Sequence, residues 1–298
     1  MTKLLSVEHA KNNILLHWKE AGFDIGKEPY AAQVAKEFGQ DLTDVPVAAL
    51  YVFVDEYLAL LRYTSFYFLS GGHPSSIERA TLFYRLTVKQ LNTVAAIRTL
   101  CLSGLDGNAR YQLRLLHENS LLWVRLLYDN QALSEYQAAI SPELSNAFWH
   151  QYISKGKNEK WLKKELNDKN IFWLGGYETA INEMKLKIST TAHPSFFQSC
   201  LESIEDIQSF ETGADSFIMS PPTKASHLTL SMTILNAAIP FSVQPSPSYE
   251  LNTSDLRTGV NLYPPYKDVI DWDAYNQKMR EMFSRLFLAS ILFIEKLR

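Results

Sequence analysis

Apolar side chains recur along most of this chain at alternating steps of three and four residues, the spacing of one face of an α-helix. Leu4, Leu5, Val7, Ile14, Leu15, Leu16 and Trp18 predict a first helix that stops before Gly22. Pro29 opens a short second one closing near Gly39. Asp44-Val45-Pro46 caps a long apolar helix running to Ser70, which Gly71-Gly72 ends. The next helix starts at Pro74-Ser75-Ser76, with Glu78 in its first turn, where an acid suits the helix dipole. Its inward stripe is Ile77, Ala80, Tyr84, Thr87, Leu91 and Val94, and it continues to Arg98 and Cys101, so a charge falls on the buried side. Gly104 closes this helix and Asp106 caps the following one, which runs to about Asn130. So short a link predicts an antiparallel hairpin.

The helix after Gly107 is apolar almost all round. Its one polar seam holds Arg114, Glu118 and Arg125 within about 40° of one another, with Arg110 close beside them. Ser134 to Ile153, Glu159 to Asn167 and Ile171 to Thr190 continue the helical reading, the last ending at Ala192-His193-Pro194. Seven of the twelve prolines fall in residues 221–265, which are expected to be largely loop. The exception is Lys224 to Ile239, where Met232, Leu235, Ala238 and Ile239 favour a helix over the strand-like alternation of Leu228, Leu230, Met232 and Ile234. Asp271 caps a final amphipathic helix reaching Arg298.

The predicted fold class is therefore all-α, a multi-helix bundle with long antiparallel helices and a Pro-rich C-terminal excursion. Residues 1–298 form one domain in this reading. It comprises a helical extension (1–70), a core (75–240), a Pro-rich loop (241–265) and a packing helix (268–298).

Composition narrows the chemistry. With 298 residues and 46% apolar side chains, the chain buries a core large enough to fold without a disulfide or metal. Lys+Arg number 29 against 32 Asp+Glu, a net charge of −3, which excludes a globally basic nucleic-acid binder. Cys101 and Cys200 are too few and too far apart for a disulfide framework or a zinc site, and suit a reducing cytoplasm. No run is long and apolar enough to predict a membrane span, so the expected location is cytoplasmic with no membrane partner. GxGxxG, Walker, GxSxG and HExxH signatures are absent, and no cofactor or metal is expected.

Three constellations remain. The seam of Arg110, Arg114, Glu118 and Arg125 reads either as a solvated face with an i,i+4 ion pair or as a cradle for an anion. His193 sits at a helix junction before Pro194-Ser195, either capping its helix or poised as a titratable group. Arg110 and His117 form an Arg-x6-His pair, the element with which HEPN helical nucleases cleave RNA without metal; 11 Arg and 7 His supply about one such pair by chance. In addition, residues 154–170 carry six Lys against Glu159, Glu165 and Asp168. There Lys160, Trp161 and Lys164 could hold a phosphate backbone and stack a base, or form a solvated surface.

The order of these features resembles a widespread family of uncharacterised, mostly bacterial helical proteins. Its marks are an Arg-x-x-x-Glu on a central helix, here Arg114 to Glu118, and a later Ser/Thr-x-x-His-Pro, here Thr190 to Pro194. The matching part is roughly residues 75–240. The resemblance implies a bundle in which Arg114, Glu118 and His193 form a polar centre, with no established reaction. The link onward to HEPN nucleases is an analogy of fold alone.

Two functions follow. The favoured one is a non-catalytic binding or interaction module whose polar centre holds an anionic ligand. The alternative is a metal-independent ribonuclease in defence or stress response. In it His193 acts as general base or acid, Arg114 stabilises charge on the phosphate and Glu118 orients either. The partners considered are a small anionic ligand, RNA, another protein, or a second copy of the chain in a homodimer.

Overall fold

The computed structural model describes residues 46–69, 77–168, 172–173 and 224–244, with Phe283, Leu286, Phe287, Leu288, Ser290, Ile291 and Ile294 of a C-terminal helical segment. The helices predicted over 4–20, 29–39 and 171–190 lie outside these residues, as does His193.

Two long helices, α1 (Pro46–Leu69) and α2 (Ile77–Leu102), precede a third, α3 (Asp106–Tyr128). Short helices α4 (Asn130–Ala138) and α5 (Pro142–Phe148) follow. A π-turn (Trp149–Ile153) and a 3-10 turn (Ser154–Gly156) then lead into α6 (Lys157–Asp168). The fourth long helix is α7 (Lys224–Ser242). One antiparallel two-residue ladder, Phe172↔Gln244 and Trp173↔Val243, is the non-helical pairing among the described residues. The all-α class stands.

The register of side-chain contacts gives the direction of each helix. Asp55 meets Arg98 and Phe68 meets Phe83, so α1 and α2 are antiparallel. Gln90 meets Ser120, and the Arg79 guanidinium donates to the Leu127 carbonyl, so α2 and α3 are also antiparallel. Along α3, residues 106, 110 and 117 meet residues 226, 229 and 236 of α7. A near-constant offset of this kind means that α3 and α7 run parallel.

Phe68, Phe83 and Trp123 tie three of the helices together, with ring centroids 5.0 and 5.6 Å apart across Phe83. Tyr51, Tyr57, Leu60, Ile97, Leu113 and Leu230 are fully buried in the same core. The C-terminal segment joins it through Phe283 against Phe241 and Ser290 near the Tyr57 hydroxyl. No helix among the described residues is long and apolar enough to cross a membrane.

Two local expectations change. Asp106 does not cap α3: Leu105 holds that position with no side-chain capping bond, and Asp106 is itself helical and buried. Its carboxylate turns inward and accepts from Ser226 Oγ at 2.8 Å, because α7 offers a donor where water is excluded. Nor do residues 134–153 form one helix. Pro142 lacks an N–H, and Ser141 caps a new start by accepting from Leu144 N at 3.3 Å. A second break follows at Lys155 (φ 57°) and Gly156 (φ 69°), both left-handed. For Lys155 that conformation costs about 1 kcal/mol.

Candidate functional site

The polar seam of α3 divides in the folded chain. Arg114 and Glu118 remain at the surface, with side chains 45% and 30% exposed and Nε 3.2 Å from Oε1. Arg110 and Arg125 go inside.

Arg110 is 7% exposed, and its Nε donates to Thr229 Oγ1 at 3.4 Å. On the wheel of α3, Asp106, Arg110 and His117 share a stripe about 40° wide that points at α7. Ser226, Thr229 and Asn236 answer it from α7. Burial raises the Asp106 carboxyl above its usual range, opposed by Ser226, Arg110, Cys101 and Thr229. Desolvation and the neighbouring Asp106 carboxylate push the Cys101 thiol up strongly, so it is an inert core group.

His117, 5% exposed, closes the stripe. The Asn236 amide donates through Nδ2 to the Met232 carbonyl at 2.8 Å, which turns Oδ1 towards His117 Nδ1 at 2.7 Å. Nδ1 therefore carries a proton. Glu159 Oε1 stands 3.3 Å from Nε2. Glu159 is the first-turn acid of α6, so the contact docks α6 onto the bundle.

Arg125 fastens the same helix. Its Nε and Nη2 both donate to Asp129 Oδ2 at 3.1 Å, and its guanidinium lies 4.6 Å from the ring centres of both Tyr152 and Trp161. Asp129 also caps α4, accepting from Ala132 N at 3.0 Å. The Trp161 ring is thus occupied by a cation of its own chain, whereas Lys160 and Lys164 stand exposed on α6. Among the described residues, then, Arg114 and Glu118 meet each other, Arg110 and Arg125 serve packing, and Lys160 and Lys164 share an exposed face.

Sequence reasoning did not single out the groove on the outer face of α2. A cavity of about 790 Å³ lies between α2 and the α4–α5 pair, floored by Leu82, Leu86 and Phe148 and rimmed by Ile140, which is 90% exposed. Arg85 and Lys89 line it and also line an adjoining cavity of about 380 Å³ reaching Asn92, Thr93 and Gln112. Neither cation makes a side-chain hydrogen bond or ion pair among the described residues. Partial burial lowers the Lys89 ammonium from its ordinary range, and the nearby Glu118 carboxylate opposes that shift. The available signal was an Arg and a Lys four residues apart on the outward face of a helix whose other face is apolar. The same pattern marks many solvated helices.

No group of three or more His, Cys, Asp or Glu among the described residues is placed to hold a metal ion. No known protein family, curated protein or solved structure matches this chain.

Proposed function

We propose that this protein is a non-catalytic binding module that receives an anionic ligand in the groove between α2 and the α4–α5 pair. One observation carries the reading: Arg85 and Lys89 stand together at the meeting of two cavities and make no side-chain hydrogen bond or ion pair among the described residues, while Arg110 and Arg125 are engaged inside the bundle. A cavity of about 790 Å³ falls in the size range of small-molecule sites, about 300–1,000 Å³. Arg114 and Glu118 lie on the neighbouring surface of α3, where Glu118 is close enough to act on Lys89.

A thermal-shift panel of phosphate, pyrophosphate, benzoate and octyl phosphate tests this on the full chain. At least one anion should raise the melting temperature of wild type by several degrees at saturation, and that of Arg85→Gln/Lys89→Gln by much less. A flat panel, or equal shifts in both proteins, would refute the assignment. The rival reading, a metal-independent RNA phosphodiesterase built on Arg114, Glu118 and His193, predicts cleavage of single-stranded RNA in EDTA that His193→Ala abolishes. The binding reading predicts intact RNA.

A further inference from the structure

Resting on the groove assignment above, we infer that the ligand is a single-chain amphiphile whose anionic group sits between Arg85 and Lys89, with its apolar tail along Leu82, Leu86 and Phe148 and any polar head towards Asn92 and Gln112. The two cavities form a graded track along one face of α2. Glu78, Arg85, Lys89, Asn92 and Ala96 recur at steps of seven, four, three and four, which keeps them within about 60° on the helix. The track changes character at the two cations. The bulky apolar side chains Leu82, Leu86, Ile140 and Phe148 all line the larger cavity, beside Thr81, Gln137 and Ser145, while the adjoining cavity carries Asn92, Thr93 and Gln112 beside the smaller Val88 and Ala96.

A free inorganic anion would engage Arg85 and Lys89 and leave the larger cavity wet. A neutral apolar molecule would fill that cavity and leave Arg85 and Lys89 without a bound anion. Only a molecule carrying both features satisfies the whole groove. Exposed Ile140 at the rim gains burial when a tail lies beneath it, without disturbing the core.

The orientation is also set. Glu78 lines the apolar end, seven residues and about 10 Å from Arg85, and repels an anion bound the other way round. A concave groove of this volume fits a dispersed molecule better than a bilayer surface, so the source assigned is a free amphiphile.

Isothermal titration on the full chain, below the critical micelle concentration, separates the terms. Octyl phosphate should bind at least tenfold more tightly than either inorganic phosphate or octanol. Along hexyl, octyl and decyl phosphate the affinity should rise by about two- to fourfold per methylene, the worth of burying each one. Arg85→Gln/Lys89→Gln should weaken octyl phosphate at least tenfold and leave octanol unchanged. Ile140→Ser, a change at an exposed rim position, should weaken octyl phosphate and leave inorganic phosphate unchanged. Circular dichroism checks that both variants fold.

If inorganic phosphate equals octyl phosphate, and both depend on Arg85 and Lys89, the amphiphile inference falls and the anion site stands. If octanol equals octyl phosphate and the double variant binds both normally, both readings fall, as they do if nothing binds. Co-sedimentation with phosphatidylglycerol vesicles that exceeds octyl phosphate binding and requires Arg85 and Lys89 would assign the groove to a membrane surface and overturn the free-amphiphile proposal.

Discussion

Single residues in this bundle act mainly through what they leave behind when removed. Arg98 and Asp55 are both buried, with Nε 2.6 Å from Oδ1 and Nη2 3.2 Å from Oδ2. Removing one partner, as in Arg98→Met, takes its ion pair from the buried Asp55 and should cost about 3–5 kcal/mol. The double variant Asp55→Leu/Arg98→Met should recover most of that loss in urea denaturation, and failure to recover would mean that other groups share the pair. His117→Ala similarly removes the contacts of Asn236 Oδ1 and Glu159 Oε1 with the imidazole and should cost about 1–3 kcal/mol, beyond the loss of packing.

Asp106 contributes a pH dependence of the opposite sense to most carboxylates. Its folded pKa lies above the ordinary 3.8, chiefly through burial, so the folded state binds the proton more tightly than the unfolded one. Stability is therefore fullest below 3.8 and falls as pH rises from there through the raised folded value. Asp106→Asn should flatten that part of the profile. A profile from pH 3 to 7 that keeps its slope in the variant would assign the effect elsewhere.

At the scale of elements, α6 is docked on the bundle through a few specific contacts. Its charged outer face carries Lys160, Lys163 and Lys164, and it meets α3 through Trp161 under Arg125, Glu159 at His117 and the buried Leu162. A helix of 12 residues is marginal alone. Arg125→Ala removes the cation from between the Tyr152 and Trp161 rings together with the bidentate bond to Asp129. Amide exchange should then speed up over residues 149–168 while α1, α2, α3 and α7 keep their protection. Uniform loss of protection would show that α6 unfolds only with the whole bundle. Asn158, buried at 3% exposure with neither side-chain polar atom bonded among the described residues, is the weak point of the same helix. Asn158→Leu should be neutral or stabilising by up to about 1 kcal/mol in the same denaturation experiment.

At the scale of the molecule, the four long helices among the described residues enclose a core crossed by a polar spine from Asp55 and Arg98, past Asp106 and Arg110, to His117 and Asn236. These groups are matched donor to acceptor across specific pairs of helices, so they fix register where a purely apolar seam would allow sliding. The function proposed lies outside that spine, on the face of α2 turned away from α1. Fold and ligand site are separable for this reason. Arg85→Gln/Lys89→Gln should change the melting temperature of the free protein by less than about 2 °C, consistent with exposed charges that make no ion pair among the described residues. A larger drop would place the two cations in the fold and not in a site.

Much of the element order was legible in the chain itself. Steps of three and four, Pro46 at a start and the left-handed Gly104 at a stop gave α1 and α2 their bounds, and the inward placement of Arg98 on α2 followed from its stripe. Periodicity is a local property, so it survives without knowledge of neighbours. The partners were not legible. Asp106 reads as a cap and Arg110 as part of a wet seam until α7, about 120 residues further on, supplies Ser226 and Thr229. The groove is less visible still, since it exists only because α4 and α5 turn back over α2 after the break at Ser141-Pro142. The chain's periodicity determined the extents of α1, α2 and α7 and the inward stripe of α2. Tertiary packing alone decided which arginines are occupied and which remain open to a ligand, because burial and pairing depend on helices far apart in sequence.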